Sequence, residues 1–331
     1  VGSVAALLNR PEGRRAGTMT SGGSESILLS MLVHRERARA RGVERPEIVA
    51  ASSAHPAYAK AAHYLGMELV RIPLDSRWRA DADAARAAVG SRTAVVVASA
   101  FCYPYGVMDP VEELAGIASG VGAGCHVDAC IGAFVLPFLE RLDREVPPFD
   151  FRVPGVTAIS ADVHKYGYVP KGASVVLHRD DDWSAHQVFL YDQWGAGMYG
   201  SGVVAGARPA APVATSWAVM NYLGVDGYTA VMRDLMVVTD RVRAAVGAMG
   251  IDIVGDPIGP VLAMRSDRVD LYAVADTMEA RGWYLNRNTD PVGLHLMLSP
   301  AHSTVIDQLL DDLASAVEKG GEGRAAPVRY S

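Results

Sequence analysis

Cysteine is scarce in this chain, with three in 331 residues. So small and odd a number excludes a disulfide framework and points to a reducing, cytoplasmic setting. Long apolar runs are missing too: none approaches the ~18 residues that a membrane-spanning helix needs. Neither sign of charge dominates, since 31 basic and 37 acidic residues leave −6. Nothing global therefore recruits nucleic acid or an anionic membrane surface. Internal repeats are absent, as are the Walker loop and the GxGxxG fingerprint of nucleotide binders. Initiator Met and signal peptide are lacking as well, because Val1 stands just before the helical pattern Val4-Ala5-Ala6-Leu7-Leu8. A leading segment is expected to precede it. What remains is 50% apolar and 21% charged, which excludes a disordered polymer and suffices to bury a sizeable core. At about 150 residues per domain, two domains are expected.

Short apolar runs alternate with helical patterns through the first half. The runs are Ile48-Val49-Ala50, Leu69-Val70-Arg71-Ile72, Ala94-Val95-Val96-Val97 and Cys125-His126-Val127, and the helices fall over 26–41, 56–65, 81–89 and 110–118. The alternation predicts an α/β fold, a mostly parallel sheet whose strands are apolar throughout because helices cover both faces. Further strands are predicted over 156–161 and 173–178. The passage Gly195-Ala196-Gly197-Met198-Tyr199-Gly200-Ser201-Gly202 reads as a loop. Helices follow over 212–223 and 228–249, then an α+β texture with strands at 261–264 and 294–298 and helices at 271–281 and 303–318. The polar tail 320–331 is expected to fray. These patterns divide the chain into a large domain over 1–224 and a smaller C-terminal domain over 225–331.

Four motifs carry chemistry. Thr20-Ser21-Gly22-Gly23-Ser24-Glu25-Ser26 opens a helix. Its glycines permit close backbone approach, its hydroxyls donate, and the helix start offers free N–H groups, so it can cradle a phosphate. An ordinary serine-capped loop would look the same. Ser160-Ala161-Asp162-Val163-His164-Lys165-Tyr166-Gly167 follows a strand. A lysine there is a candidate Schiff-base nucleophile, because desolvation frees its amine, and His164 can bond a phosphate. Most lysines, however, are solvated charges. In Cys125-His126-Val127-Asp128-Ala129-Cys130, an Asp ending an apolar strand is costly unless it meets a cation. One strand–helix unit separates Asp128 from Lys165, so an open parallel sheet delivers both to its carboxyl edge, where ligands bind. A metal held by Cys125, His126 and Cys130 is disfavoured, since alternating faces of one strand do not converge on one ion. His55, just before Pro56, belongs to the same edge, either facing a ligand or packed as a cap.

Phosphate cradle, histidine, strand-end Asp and strand-end Lys are together the parts that a pyridoxal 5′-phosphate (PLP) enzyme needs. The chain resembles fold-type I PLP enzymes, and the sphingosine-1-phosphate lyase family more than the related group II amino-acid decarboxylases. The likeness runs from Gly17-Thr18-Met19-Thr20-Ser21-Gly22-Gly23 to Gly282-Trp283-Tyr284-Leu285 and His295. It is most specific over Phe149-Asp150-Phe151-Arg152-Val153-Pro154-Gly155-Val156-Thr157 and His164-Lys165-Tyr166-Gly167-Tyr168-Val169-Pro170-Lys171-Gly172. The resemblance implies a large PLP-binding domain and a homodimer with its sites at the subunit interface. It implies Lys165 as the cofactor-bearing lysine, Asp128 as partner of the pyridine nitrogen and His55 as the stacking ring. Gly23, Ser24 and His164 would contact the cofactor phosphate, Lys171 and Arg208 a substrate phosphate, and Tyr103 would act in acid–base chemistry. Ser201 lies in the segment expected to reach the other protomer's cofactor. Ser24 stands where the family has Thr and keeps the hydroxyl. Ser201-Gly202-Val203 replaces Ser-Pro-Thr, and Gly206-Ala207-Arg208 replaces Gly-Ser-Arg. Each of these two changes loses a hydroxyl, which bears on the substrate rather than the cofactor.

The activity so implied is retro-aldol cleavage of the C2–C3 bond of a phosphorylated 2-amino-3-hydroxy compound, a sphingoid phosphate giving an aldehyde and phosphoethanolamine. Decarboxylation of an L-amino acid on the same scaffold is the alternative among enzymes. A non-catalytic PLP-binding partner or regulatory subunit is the alternative outside them.

Overall fold

The computed structural model describes residues 1–13 and 17–320. Seven strands make its main sheet: β1 Gly17–Thr20, β2 Glu47–Ala51, β3 Glu68–Ile72, β4 Thr93–Ser99, β5 Gly124–Asp128, β6 Val156–Asp162 and β7 Ser174–His178. They lie in the order β1-β7-β6-β5-β4-β2-β3. From β3 through β2, β4 and β5 to β6 every pairing is parallel. All residues of β4 and β6 are buried, the signature of a sheet covered on both faces. The remaining edge departs from the parallel pattern, because β7 runs antiparallel to β6 and β1 antiparallel to β7. The chain runs outward from β2 to β3 and then returns to place β4 on the other side of β2. Such a reversal opens a crevice at the carboxyl ends of the strands.

The helix Gly23–Ala40 packs on β6 and β7. Its buried face includes polar Ser30 and His34, which sheet side chains satisfy. His126 Nδ1 lies 2.7 Å from Ser30 Oγ and its Nε2 3.2 Å from Ser160 Oγ, while His34 Nε2 lies 2.9 Å from Thr157 Oγ1. Burial drives the His34 imidazole down to about 3 and that of His126 well below its ordinary value, so both are neutral. Both ring nitrogens of His126 are thereby engaged.

The chain divides into two compact units. The first comprises Val1–Cys102 and Met108–Val225, and the second comprises Tyr103–Val107 and the chain from Asp226 onward. The sequence boundary at 224/225 lacks the excursion of Tyr103–Val107, which docks in the second unit through Gly106. That residue has φ 70°, and a Cβ on it would stand 2.0 Å from the Val261 carbonyl oxygen, so only glycine fits. The second unit holds an antiparallel sheet in the order Asp252–Ile253, Val261–Arg265, Val292–Met297, Asn286–Thr289. Helices Leu271–Ala280 and Ile306–Glu318 pack on each other beside it.

The two helices predicted over 212–223 and 228–249 are present within Ala211–Ala248, separated at Gly224, whose backbone is non-helical (φ 59°, ψ −173°). Two expectations need correction. The loop predicted over 195–202 contains a strand, Tyr199–Ser201, paired antiparallel with Phe189–Tyr191. Its aromatic residues supply a ribbon that the glycine count hides. The last helix starts at Ile306 rather than 303, after a 3₁₀ turn over Pro300–Thr304. Residues 321–331 of the tail expected to fray lie outside the described residues. No described helix is long and apolar enough to cross a membrane.

Candidate active site

Because β5 and β6 are parallel neighbours with Asp128 opposite Ser160, their carboxyl ends lie side by side. Lys165 follows three residues after Asp162, the last residue of β6, and its Nζ stands 3.1 Å from Asp162 Oδ2. Burial works against the Lys165 ammonium, but Cys130, Asp162 and Asp128 favour it and the net shift is upward. The Cys130 thiol is itself pushed well up by burial and stays neutral near neutral pH. The two carboxylates are therefore the counter-charge of Lys165.

His55 is drawn into the same field. Burial lowers its pKa, Asp128 and Asp162 oppose that, and Lys165 adds to it. Its Nδ1 accepts the Ala57 N–H at 3.1 Å, where the helix Ala57–Leu65 begins, so the neutral ring carries its proton on Nε2. Asp128 Oδ1 accepts from the Cys130 N–H at 3.1 Å, with Ser160 Oγ at 3.5 Å. Fully buried Tyr58 is kept a phenol by its burial first and by the facing Asp128 carboxylate second. Three predicted residues, Lys165, Asp128 and His55, are thus brought together.

Gly23 forms the floor of the cradle. A Cβ there would stand 2.9 Å from both Asp162 carboxylate oxygens and from Cys130 Sγ, so a side chain would force these groups to shift. His164 borders Gly22, whose Cβ would lie 3.7 Å from its Cε1, and His164 Nδ1 is buried without a hydrogen-bond partner among the described residues. Asp162 is 3% exposed, and its Oδ1 likewise has no partner among them. These groups fit PLP: an amine for its aldehyde, a carboxylate for its ring nitrogen, an imidazole for its flat face. A glycine-floored helix start with an adjacent imidazole suits the phosphate. Glu25 braces the cradle, its Oε2 accepting from Ser21 N at 2.7 Å and Ser21 Oγ at 2.6 Å and its Oε1 from Val204 N at 3.1 Å. Ser24 is exposed and lines a 300 Å³ cavity with Lys60 and Tyr64.

Lys171 and Arg208 border one cavity of 840 Å³ together with Thr20, Ser21 and the apolar Met19 and Trp217. The Arg208 guanidinium donates to the Met19 carbonyl. Ser201 Oγ donates locally to the Val203 carbonyl at 3.0 Å. Tyr103 belongs to the second unit, where its ring lies 4.4 Å from that of His295. His295 Nε2 donates to the Tyr103 carbonyl at 2.9 Å, and burial pulls its imidazole down to about 4.

Asp162, Glu25 and Tyr58 were not assigned roles by the sequence reading. For Asp162 the signal was available: it ends an apolar strand just as Asp128 does.

The sequence pattern of the pyridoxal-dependent decarboxylase conserved domain matches residues 1–252. Over 324 residues the chain is 41% identical to a sphingosine-1-phosphate lyase of Arabidopsis thaliana, covering 96% of this chain and 60% of that protein. Thus it spans about 60% of the length of that curated relative. A solved sphingosine-1-phosphate lyase from Burkholderia pseudomallei superposes with a TM-score of 0.93 at 40% identity, over 96% of this chain and 75% of that one. A Lactobacillus brevis glutamate decarboxylase shares the fold at 22% identity and a TM-score of 0.86, over 98% of this chain and 80% of that one.

Proposed function

The chain belongs to the pyridoxal-dependent decarboxylase family, and from that premise we propose that it is a PLP-dependent carbon–carbon lyase. Its substrate is a phosphorylated 2-amino-3-hydroxy compound of the sphingoid type, cleaved between C2 and C3 to an aldehyde and phosphoethanolamine. The observation that carries this reading is a lysine and an aspartate at neighbouring strand ends, with a glycine-floored anion cradle against them. Bound PLP supplies an aldehyde for amines and a protonated ring that draws electrons from the scissile bond.

In this reading Lys165 carries the cofactor and Asp128 keeps its ring nitrogen protonated. His55 covers one face, while Gly23, Ser24 and His164 hold the phosphate. Lys165 would also serve as a base for the substrate's 3-hydroxyl proton, a role for which the family motif offers Tyr103 as well. Lys171 and Arg208 give the substrate phosphate its counter-charges; Lys171 acts as a point cation and Arg208 as a fork. Their shared cavity with Met19 and Trp217 supports a substrate that is anionic at one end and apolar at the other.

A homodimer is part of the proposal. Phe189, Leu190, Trp194 and Met198 are all more than half exposed, a concentration of apolar surface that marks an interaction site. The segment 195–202 would then approach the second copy's cofactor. A cytoplasmic location is also proposed, supported by three buried cysteines that form no disulfide among the described residues.

Borohydride trapping followed by peptide mapping tests the lysine, with Lys165 expected to carry the label. A panel of sphingoid phosphates and amino acids tests the reaction. Aldehyde release from the former is expected; carbon dioxide from an amino acid without aldehyde would favour decarboxylation. Sedimentation tests the dimer.

A further inference from the structure

One atom of the site has no function in that scheme: Asp162 Oδ1. A carboxylate that is 3% exposed needs donors on both oxygens to remain ionised at low cost. Oδ2 has Lys165 Nζ at 3.1 Å and His164 Nε2 at 3.6 Å. Oδ1 has no partner among the described residues. Both oxygens lie 2.9 Å from where a Cβ on Gly23 would stand, so the carboxylate faces the start of the helix Gly23–Ala40. The proposed function puts a phosphate there. A second anion beside a carboxylate disfavours its charged form and favours its taking up a proton, and Lys165 Nζ stands 3.1 Å from Oδ2 to give one.

We propose that Asp162 is an electrostatic guard on Lys165, holding its amine as an ammonium until a phosphate enters the cradle and then accepting its proton. In that step an Nζ–H bond breaks, an Oδ2–H bond forms, and the electron pair stays on Nζ. The ion pair becomes a neutral pair, and net charge is unchanged. An ammonium does not attack carbonyl carbon, whereas a free amine does. A carbonyl compound that brings no phosphate therefore meets an unreactive lysine, and anion binding is coupled to release of the nucleophile. Asp162 acts through Lys165 as a positioning residue. The inference rests on Lys165 as the cofactor-bearing lysine.

The test uses cofactor-free wild type and Asp162→Asn, which keeps shape and hydrogen bonding but removes the charge. Each is incubated with pyridoxal, an aldehyde without phosphate, with and without inorganic phosphate. Borohydride reduction and mass spectrometry then quantify label on the Lys165 peptide as pH is varied. Wild type is expected to label slowly near neutral pH and several-fold faster with phosphate. Asp162→Asn is expected to label about tenfold faster without phosphate, with a pH midpoint lower by about one unit or more, and to ignore phosphate. A merely structural Asp162 would not move that midpoint. Coincident pH profiles, or a wild type indifferent to phosphate, overturn the guard. Treating both proteins with PLP separates the two readings, because label on another lysine there overturns the assignment of Lys165 itself.

Discussion

Gly23 is where a single atom matters most. A methyl group at this position would press on the Asp162 carboxylate and Cys130 Sγ at 2.9 Å, and overpacking of that kind costs about 1–3 kcal/mol. Gly23→Ala is expected to keep the fold and weaken PLP retention by at least about tenfold, read by equilibrium dialysis; unchanged retention would remove Gly23 from the cradle. Asp128 makes a different demand. Half-buried at the end of β5, it is the proposed partner of the cofactor's ring nitrogen; removing one partner of a desolvated ion pair costs about 3–5 kcal/mol, so Asp128→Ala should lower turnover by more than about a hundredfold. Asp128→Glu, tested alongside, should recover part of the loss. Lys165, Asp128 and His55 were legible in the sequence because each sits where an apolar strand or its following turn ends. Asp162 stands in the same motif as His164 and Lys165, whose more distinctive side chains mask its signal. Charge at the end of a buried strand has the same meaning in both places.

At the scale of elements, the helix Gly23–Ala40 joins site and core. Its first turn forms the cradle, and its middle buries Ser30 and His34 against β5 and β6 through His126, Ser160 and Thr157. Glu25 ties that first turn to the segment after the hairpin, with two bonds to Ser21 and one to Val204. Replacing it by Ala leaves three donors to water, at about 0.5–1.5 kcal/mol for each bond. Glu25→Ala should speed amide exchange at Ser21 and Val204 and leave the β4 amides protected; uniform exchange across both would show no local bracing. The central strands were legible because burial on both faces leaves them apolar from end to end. The edge strand β1 was not, being only four residues long with three of them half-buried. The pairing of Phe189–Tyr191 with Tyr199–Ser201 was hidden for the opposite reason, since glycines outweighed the aromatic alternation.

Across the whole molecule, neutral histidines tie stability to pH. Burial holds His34 at about 3 and His178 at about 4 in the folded state, against about 6.5 when unfolded. His178 keeps its Nε2 proton on Gln187 Oε1 at 2.8 Å. Above pH 7 both states carry the neutral ring, and neither histidine affects stability. Below about 6.5 the unfolded chain binds a proton at each and the folded one does not, so stability falls with pH by about 1.4 kcal/mol per unit per histidine. At pH 5 that amounts to about 2 kcal/mol each. Urea titrations between pH 7.5 and 5 should show this decline, and it should cease near pH 3–4 as the folded rings begin to protonate. His34→Gln removes one titrating group while keeping a donor toward the Ser30 carbonyl, 2.7 Å from the His34 ring nitrogen. Its stability should therefore fall less steeply, by about one proton's worth over that range. A slope equal to wild type would mean that His34 gains its proton in the folded protein, and with it that the polar seam beneath the helix is wetter than its burial indicates.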